Sequence, residues 1–140
     1  MKEFKTSVSI ESTPAKVWGL LTDAATWPSW NTTVTKVDGT IAPGEKVTVH
    51  VKISPGQAFP VKVAEFEPER RMVWRGGMPL PFLFKGERTY TLTPKGDGAV
   101  EFTMAEVYTG WFAPMITKSI PDLQPAFDEF AACLKKRAES

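Results

Sequence analysis

Short alternating segments between glycine- and proline-containing turns fill the middle of this sequence and restrict its fold more than any other feature. Six strand-like segments lie between positions 33 and 110, at residues 34–37, 46–53, 61–66, 72–75, 84–92 and 100–108. Turn signals such as Asp38-Gly39 and Pro43-Gly44 separate them, and such short spacing favours an antiparallel meander over parallel crossovers. Residues 4–10 also alternate between apolar and polar side chains, which predicts a further strand at the start of the chain.

Helical patterns lie on both sides of the six central strands. Thr13 and Pro14 are typical of a helix N-terminus, and the apolar residues that follow predict a short helix ending near Asp23. A broken helical corner is expected over residues 24–30, which carry two tryptophans around a proline.

A one-sided apolar stripe after Gly110 predicts the longest helix of the chain. Its members are Ile116, Ile120, Leu123, Phe127, Phe130 and Leu134. Pro121 lies within this stripe, so we expect a break over residues 117–122 and a continuous helix from Asp122 to about Arg137. The chain is therefore predicted to be an α+β protein with one domain over residues 1–140, in which a curved antiparallel sheet is covered by a long helix.

Charge and cysteine content exclude several classes of function. The 17 Lys and Arg residues and 16 Asp and Glu residues alternate along the chain, which argues against a nucleic-acid partner. The single Cys133 excludes an internal disulfide and a multi-cysteine zinc site. No long apolar run or secretory signal is present, so we expect a cytoplasmic protein without stable membrane insertion.

The order of several short motifs resembles the START-like, or SRPBCC, superfamily, and within it the polyketide cyclase/dehydrase-like branch. The resemblance covers nearly the whole chain. Its carriers are residues 8–10 and 14–18, Leu21-Thr22-Asp23, Trp27, Trp30, Phe66-Glu67-Pro68, residues 70–74, residues 86–92, and Glu106 before Gly110.

This resemblance implies a helix-grip fold, in which a seven-stranded antiparallel sheet wraps around the C-terminal helix. Members enclose an elongated apolar cavity and bind lipids, sterols, polyketides or plant hormones. Some are cyclases or aromatases, and others resemble activators of a chaperone ATPase. The fold alone does not select among these functions.

Strand alternation places two opposite charges on the inner, apolar face of the sheet. Arg88 lies on the inner face of the sixth strand and Glu106 on that of the seventh. A turn centred on Gly96 would set Arg88 opposite Met104 with Glu106 diagonal to it, and a two-residue slip would set the charges face to face. They are either a structural ion pair or a polar anchor for an apolar ligand that carries a carbonyl or carboxylate.

The histidine and the cysteine of the chain are predicted to take no part in catalysis or ligand binding. The only histidine, His50, alternates with inward valines and is expected on the outer face, so no histidine-dependent catalytic or metal site is predicted. Cys133, on the apolar flank of the last helix, is expected to be inert.

Aromatic residues near the expected cavity mouth suggest a cover. Residues 78–82 combine two prolines with large apolar side chains, and we predict a lid there, with Gly76-Gly77 as its hinge and the Pro121 kink moving with it.

The first functional hypothesis is the binding of a small hydrophobic ligand, lipid-like or aromatic and polyketide-like, without metal or cofactor. The predicted contacts are Arg88, Glu106, Trp74, Phe84, Tyr90, Met104, Tyr108, Trp30, Phe112 and Met115. The second is a cofactor-independent cyclase, aromatase or dehydratase that uses Glu106 as general base and Arg88 to stabilise an enolate. The third is a chaperone-activator-like interaction module with a filled interior. The oligomeric state stays open.

Overall fold

Seven strands form a single antiparallel sheet in the computed structural model, which describes residues 2–53, 56, 58–77, 80 and 82–140. The strands are β1 (Lys2–Ile10), β2 (Val34–Asp38), β3 (Lys46–Val51), β4 (Ala58–Glu67), β5 (Arg71–Gly77), β6 (Lys85–Gly96) and β7 (Ala99–Thr109). Their order across the sheet is β1-β7-β6-β5-β4-β3-β2. Strands β2 to β7 are a meander, and β1 pairs with β7 at the far edge. The predicted helix-grip architecture is confirmed.

The described residues also form four α-helices: α1 (Pro14–Thr22), α2 (Trp27–Trp30), α3 (Ala113–Ile116) and α4 (Gln124–Glu139). The hydroxyl of Thr13 accepts a hydrogen bond from the Lys16 backbone N–H at 3.2 Å, as its predicted capping role requires. The break before the long helix is also observed, because a 3₁₀ turn at Thr117–Ser119 ends well before α4. Helix α4 begins and ends two residues later than predicted.

Prolines did not limit the strands as the sequence suggested. Strand β4 begins at Ala58 instead of position 61 and includes Pro60, which lies opposite Thr48 of β3. The ladder between β4 and β5 begins only at Lys62. Pro60 therefore has a strand partner on one side only, a position at which proline is tolerated.

The β6–β7 hairpin decides which side chains meet on the inner face. Its turn is Asp97-Gly98, where both residues have positive φ, 51° and 75°, as a type I′ turn requires. A register shift between Pro94 and Gly96 lies on β6 just before the turn. Together they place Arg88 directly opposite Glu106, the second of the two registers derived from the sequence.

A cluster of large aromatic rings fills one part of the space between sheet and helix. The ring of Trp27 stacks on that of Trp74 with centroids 5.4 Å apart and contacts Phe130 edge to face at 5.3 Å. Tyr90 and Trp30 complete the cluster. These rings are all buried and form a rigid floor under the remaining space.

Candidate functional site

A cavity of about 550 Å³ lies between the inner face of the sheet and α4. Strands β2 to β7 form one wall, and the segment from Ile116 to Phe130 forms the other. Most of the lining is apolar. The lining includes Val49, Val51, Phe59, Trp74, Phe84, Arg88, Met104, Glu106, Tyr108, Ile116, Ile120, Leu123, Phe127 and Phe130.

Arg88, Glu106 and Tyr108 form a polar network on this apolar wall. One terminal nitrogen of Arg88, Nη2, donates to Oε2 of Glu106 at 2.9 Å. The Tyr108 hydroxyl donates to the same oxygen, also at 2.9 Å. The other carboxylate oxygen, Oε1, has no hydrogen-bond partner in the part of the chain that the structure describes. The network thus holds Glu106 through one oxygen and leaves the second available.

Arg88 remains charged in this setting. Burial alone would lower the pKa of Arg88, but the Glu106 carboxylate outweighs it and raises this pKa. The guanidinium also lies 4.8 Å from the ring centroid of Phe127 in α4, a cation–π contact that links sheet and helix. Its Nε–H is fully buried beside the Tyr90 hydroxyl, so a molecule in the cavity cannot reach it. The Arg88 side chain as a whole is 24% exposed, and its other terminal nitrogen, Nη1, has no hydrogen-bond partner among the described residues. The N–H groups of Nη1 are therefore the natural donors to a ligand oxygen.

Tyr108 is positioned by its neighbours. Its ring stacks on Phe84, with centroids 5.8 Å apart and planes 13° from parallel. The ring covers Gly86, where an added Cβ would lie only 3.1 Å from the ring. A glycine at position 86 therefore lets the Tyr108 hydroxyl reach Glu106. Burial is the main cause that raises the pKa of Tyr108, so the hydroxyl stays protonated and remains a donor.

Six of the sequence-predicted contact residues line the cavity: Arg88, Glu106, Trp74, Phe84, Met104 and Tyr108. Tyr90 and Trp30 lie in the aromatic floor instead and are not part of the lining. Burial raises the pKa of Tyr90 to about 12, with a smaller opposing effect of the nearby Arg88 charge. The Tyr90 hydroxyl has no hydrogen-bond partner of ordinary geometry among the described residues.

Phe112 and Met115 lie outside the cavity lining, with 37% and 65% of their surface exposed. The predicted lid includes residues 78, 79 and 81, which lie outside the described residues. Its proposed hinge is packed in the sheet, since Gly77 pairs with Lys85. His50 lies on the outer face as predicted, 3.1 Å from Asp38 Oδ2.

The helix side of the cavity is not predicted by the sequence. The apolar stripe indicates only that Phe127 and Phe130 face the core, whereas both also line the cavity. The same is true of Ile116 and Ile120, which lie before α4. The break near Pro121 was the signal, because it turns part of the stripe away from close packing and toward the open space.

The described residues contain no group of three or more His, Cys, Asp or Glu side chains able to hold a metal ion. None of the helices in the described ranges combines the length and the apolar composition needed to cross a bilayer.

Comparison with known proteins identifies the wider group. A family described as "Polyketide cyclase / dehydrase and lipid transport" matches residues 1–139. No curated protein matches the sequence.

Solved structures share the fold at low sequence identity. A hypothetical protein of Helicobacter pylori superposes with a TM-score of 0.78 at 18% identity, over 98% of this chain and 88% of the other. An aromatase/cyclase of a Streptomyces species gives 0.74 at 13% identity, over 99% and 93% of the two chains. Norcoclaurine synthase from Thalictrum flavum gives 0.70 at 14% identity, over 97% and 92%.

Proposed function

Because the chain belongs to the polyketide cyclase/dehydrase and lipid transport family, we propose that it binds a small, largely apolar molecule that carries a carbonyl group. The ligand lies in the cavity between the sheet and α4, with its carbonyl oxygen at Arg88. The observation that carries this proposal is the part-exposed Arg88 guanidinium, whose Nη1 has no hydrogen-bond partner among the described residues, on the wall of a largely apolar space of about 550 Å³. Ligand cavities in proteins commonly have about 300–1,000 Å³, so this one is large enough for a medium-chain lipid or a two-ring aromatic.

A neutral oxygen suits this site better than a carboxylate. The charge of Arg88 is already balanced by Glu106, whose Oε2 lies 2.9 Å from Nη2. A second carboxylate would be buried beside the first without a second cation in the network, which costs several kcal/mol. A ketone or aldehyde oxygen accepts a hydrogen bond from Nη1 without adding charge. The substrate class we infer is therefore neutral carbonyl compounds with an apolar body.

Three probes of similar chain length test the preference for a neutral carbonyl over a carboxylate or a plain alkane. Isothermal titration with methyl nonyl ketone, decanoate and decane at neutral pH is expected to give the tightest binding for the ketone. A hydrogen bond from a charged donor contributes about 1.5–3 kcal/mol, so the ketone should exceed decane by roughly ten- to a hundredfold. Decanoate should bind more weakly than the ketone and improve as the pH falls toward its own pKa, because only the protonated acid is neutral.

Native mass spectrometry of freshly purified protein adds an independent result, since a co-purifying small molecule would identify the natural ligand class. Equal affinity for all three probes would contradict a role for Arg88, and the absence of binding for all three would overturn the proposed ligand site.

A second candidate function is supported by the free Oε1 of Glu106. When the ketone oxygen is bound at Arg88, Oε1 of Glu106 can act as a base toward the carbon next to the carbonyl. The proton of that C–H bond passes to Glu106, and the electrons of the bond form an enolate that the guanidinium stabilises. Such a step begins cyclisations and dehydrations. The chaperone-activator alternative expects a filled interior, and the cavity does not support it.

Deuterium exchange separates binding from catalysis. If Glu106 acts as a base, bound methyl nonyl ketone should exchange its α-hydrogens in heavy water faster with the protein than without it, and Glu106→Gln should abolish the acceleration. Exchange at the buffer rate with the wild-type protein would leave binding as the function and remove the catalytic candidate. Mass spectrometry of the recovered ketone measures the exchange.

A further inference from the structure

The end of the sheet next to the cavity carries all of the large apolar side chains that are exposed in the described part of the chain. Four of them, Trp111, Met115, Phe82 and Leu80, are more than half exposed, at 77%, 65%, 54% and 51%. The others are Ile53 after β3, Phe59 near the start of β4, and Phe112. Antiparallel pairing brings these segments to one end of the sheet, since β3, β5 and β7 end there and β4 and β6 begin there. We call this end the apolar rim.

Two loops of the apolar rim are fixed to each other. The backbone N–H of Trp111 donates to the Phe82 carbonyl at 3.0 Å, and that of Phe112 donates to the Leu83 carbonyl at 2.8 Å. The rings of Phe82 and Trp111 pack edge to face at 5.4 Å. Gly110 permits this close approach, because it has a φ of 113° and an added Cβ would lie 2.6 Å from the Leu83 carbonyl oxygen. The exposed rings of Phe82 and Trp111 are therefore fixed in place by backbone hydrogen bonds and by their contact with each other.

The segments that form the apolar rim carry charged side chains of one sign. Residues 51–63, 76–86 and 107–121 contain no Asp or Glu, although the whole chain has 16 of them. The same segments contain Lys52, Lys62, Lys85 and Lys118, of which Lys85 lies 3.4 Å from Glu87, just outside them. The chain is nearly neutral as a whole, with a net charge of +1, so this separation concentrates positive charge around the exposed apolar side chains.

We propose that the apolar rim docks onto a membrane surface that contains anionic lipids, with Trp111 and Phe82 inserted among the headgroups and the lysines near the phosphates. Tryptophan favours the interfacial region of a bilayer, and lysine near an anionic surface adds attraction. The lysines favour an anionic membrane over a second copy of the chain as the partner of the rim, because a second copy would bring its own lysines against the first set.

Docking also gives the cavity a function at the membrane. An apolar ligand would pass between the bilayer and the cavity without crossing water. This consequence rests on the proposed ligand-binding function, whereas docking itself does not.

Vesicle sedimentation tests the docking. Ligand-free protein is mixed with vesicles of phosphatidylcholine alone or of equal parts phosphatidylcholine and phosphatidylglycerol. We expect sedimentation with the mixed vesicles, weakened by added salt, and little with phosphatidylcholine alone. Of the five tryptophans, only Trp111 is exposed, so a blue shift of the fluorescence on binding would report its insertion.

Variants distinguish the rim from the rest of the surface. Trp111→Ser is expected to lower the affinity for mixed vesicles roughly tenfold, and Lys52→Glu with Lys118→Glu at least as much. The matched control is Lys136→Glu, on the C-terminal half of α4. That half lies at the opposite end of the sheet, where Lys135 Nζ contacts the Ser9 carbonyl at 2.8 Å, and the control should bind like the wild type.

Any of three results would overturn the docking proposal. The first is that the protein does not sediment with mixed vesicles, and the second is that the rim variants bind as well as the Lys136 control. The third is that the protein self-associates through the rim, as seen by light scattering, and does not bind vesicles. Ketone titration without vesicles is run on the same samples. Retained ketone binding alongside failed sedimentation would refute docking while leaving the proposed function intact.

Discussion

Substitution of Arg88 by Met is expected to destabilise the protein and to weaken ketone binding, and a second substitution, Glu106→Gln, is expected to restore only the stability. The single change leaves the Glu106 carboxylate on an apolar wall without its cation, although Tyr108 still donates to it at 2.9 Å. Breaking a fully buried ion pair costs about 3–5 kcal/mol, and the partial exposure of this pair places the expected loss at about 2–3 kcal/mol. Replacing both charged groups removes the uncompensated carboxylate, so most of that loss should be recovered.

The affinity for the ketone depends on Arg88 and not on the charge of Glu106. Neither variant has the Arg88 N–H donors, so both should bind methyl nonyl ketone roughly ten- to a hundredfold more weakly than the wild type, with decane unaffected. Urea unfolding and isothermal titration measure the two quantities separately. The outer face of the sheet supplies a matched control, because Arg75 and Glu87 form an exposed ion pair on the neighbouring strands. Arg75→Met with Glu87→Gln should change stability by about 1 kcal/mol or less and ketone affinity not at all.

A different result would assign the pair to stability alone. If the double variant regained both its stability and full ketone affinity, Arg88 and Glu106 would be a structural ion pair, and the carbonyl would need another partner.

The largest stability effect is expected at Trp27. This side chain is 1% exposed, donates through Nε1 to the Leu21 carbonyl at 3.1 Å, and contacts four other aromatic rings. Trp27→Ala would leave a large void under the cavity and an unpaired carbonyl. Comparable changes cost about 3–5 kcal/mol, a large part of the stability of a domain this size.

Trp111→Ala gives the matched comparison, since this tryptophan is 77% exposed and contributes little to the core. Its effect on unfolding in urea should be within about 0.5 kcal/mol. Similar losses for the two variants would contradict the assignment of Trp27 to the floor of the site.

The sequence predicted the elements of the fold because their signals are local. Alternation located all seven strands, and the motif order indicated the family architecture. Strand ends were less predictable: Pro60 and Pro94 lie inside strands because one has a partner on a single side and the other adjoins a register shift. Neither condition can be read from local composition, since both depend on which strands are neighbours.

The polar pair was predictable, but its register was not. Alternation placed Arg88 and Glu106 on the inner face, whereas their direct opposition follows from the positive φ values at Asp97 and Gly98 and the shift beside Pro94. The helix wall of the cavity was missed because Phe127 and Phe130 have the pattern of ordinary core residues. An apolar residue that faces a void and one that faces another side chain have the same sequence signal.

Isotope-filtered NMR of the protein saturated with methyl nonyl ketone tests the ligand site most directly. The account predicts intermolecular contacts from the ketone chain to the Met104 methyl and the Phe127 ring, together with a clear shift of the Arg88 Nη–H resonance as Nη1 gains an acceptor. Contacts confined to the exposed rim around Trp111, with the Arg88 resonance unchanged at saturation, would contradict it.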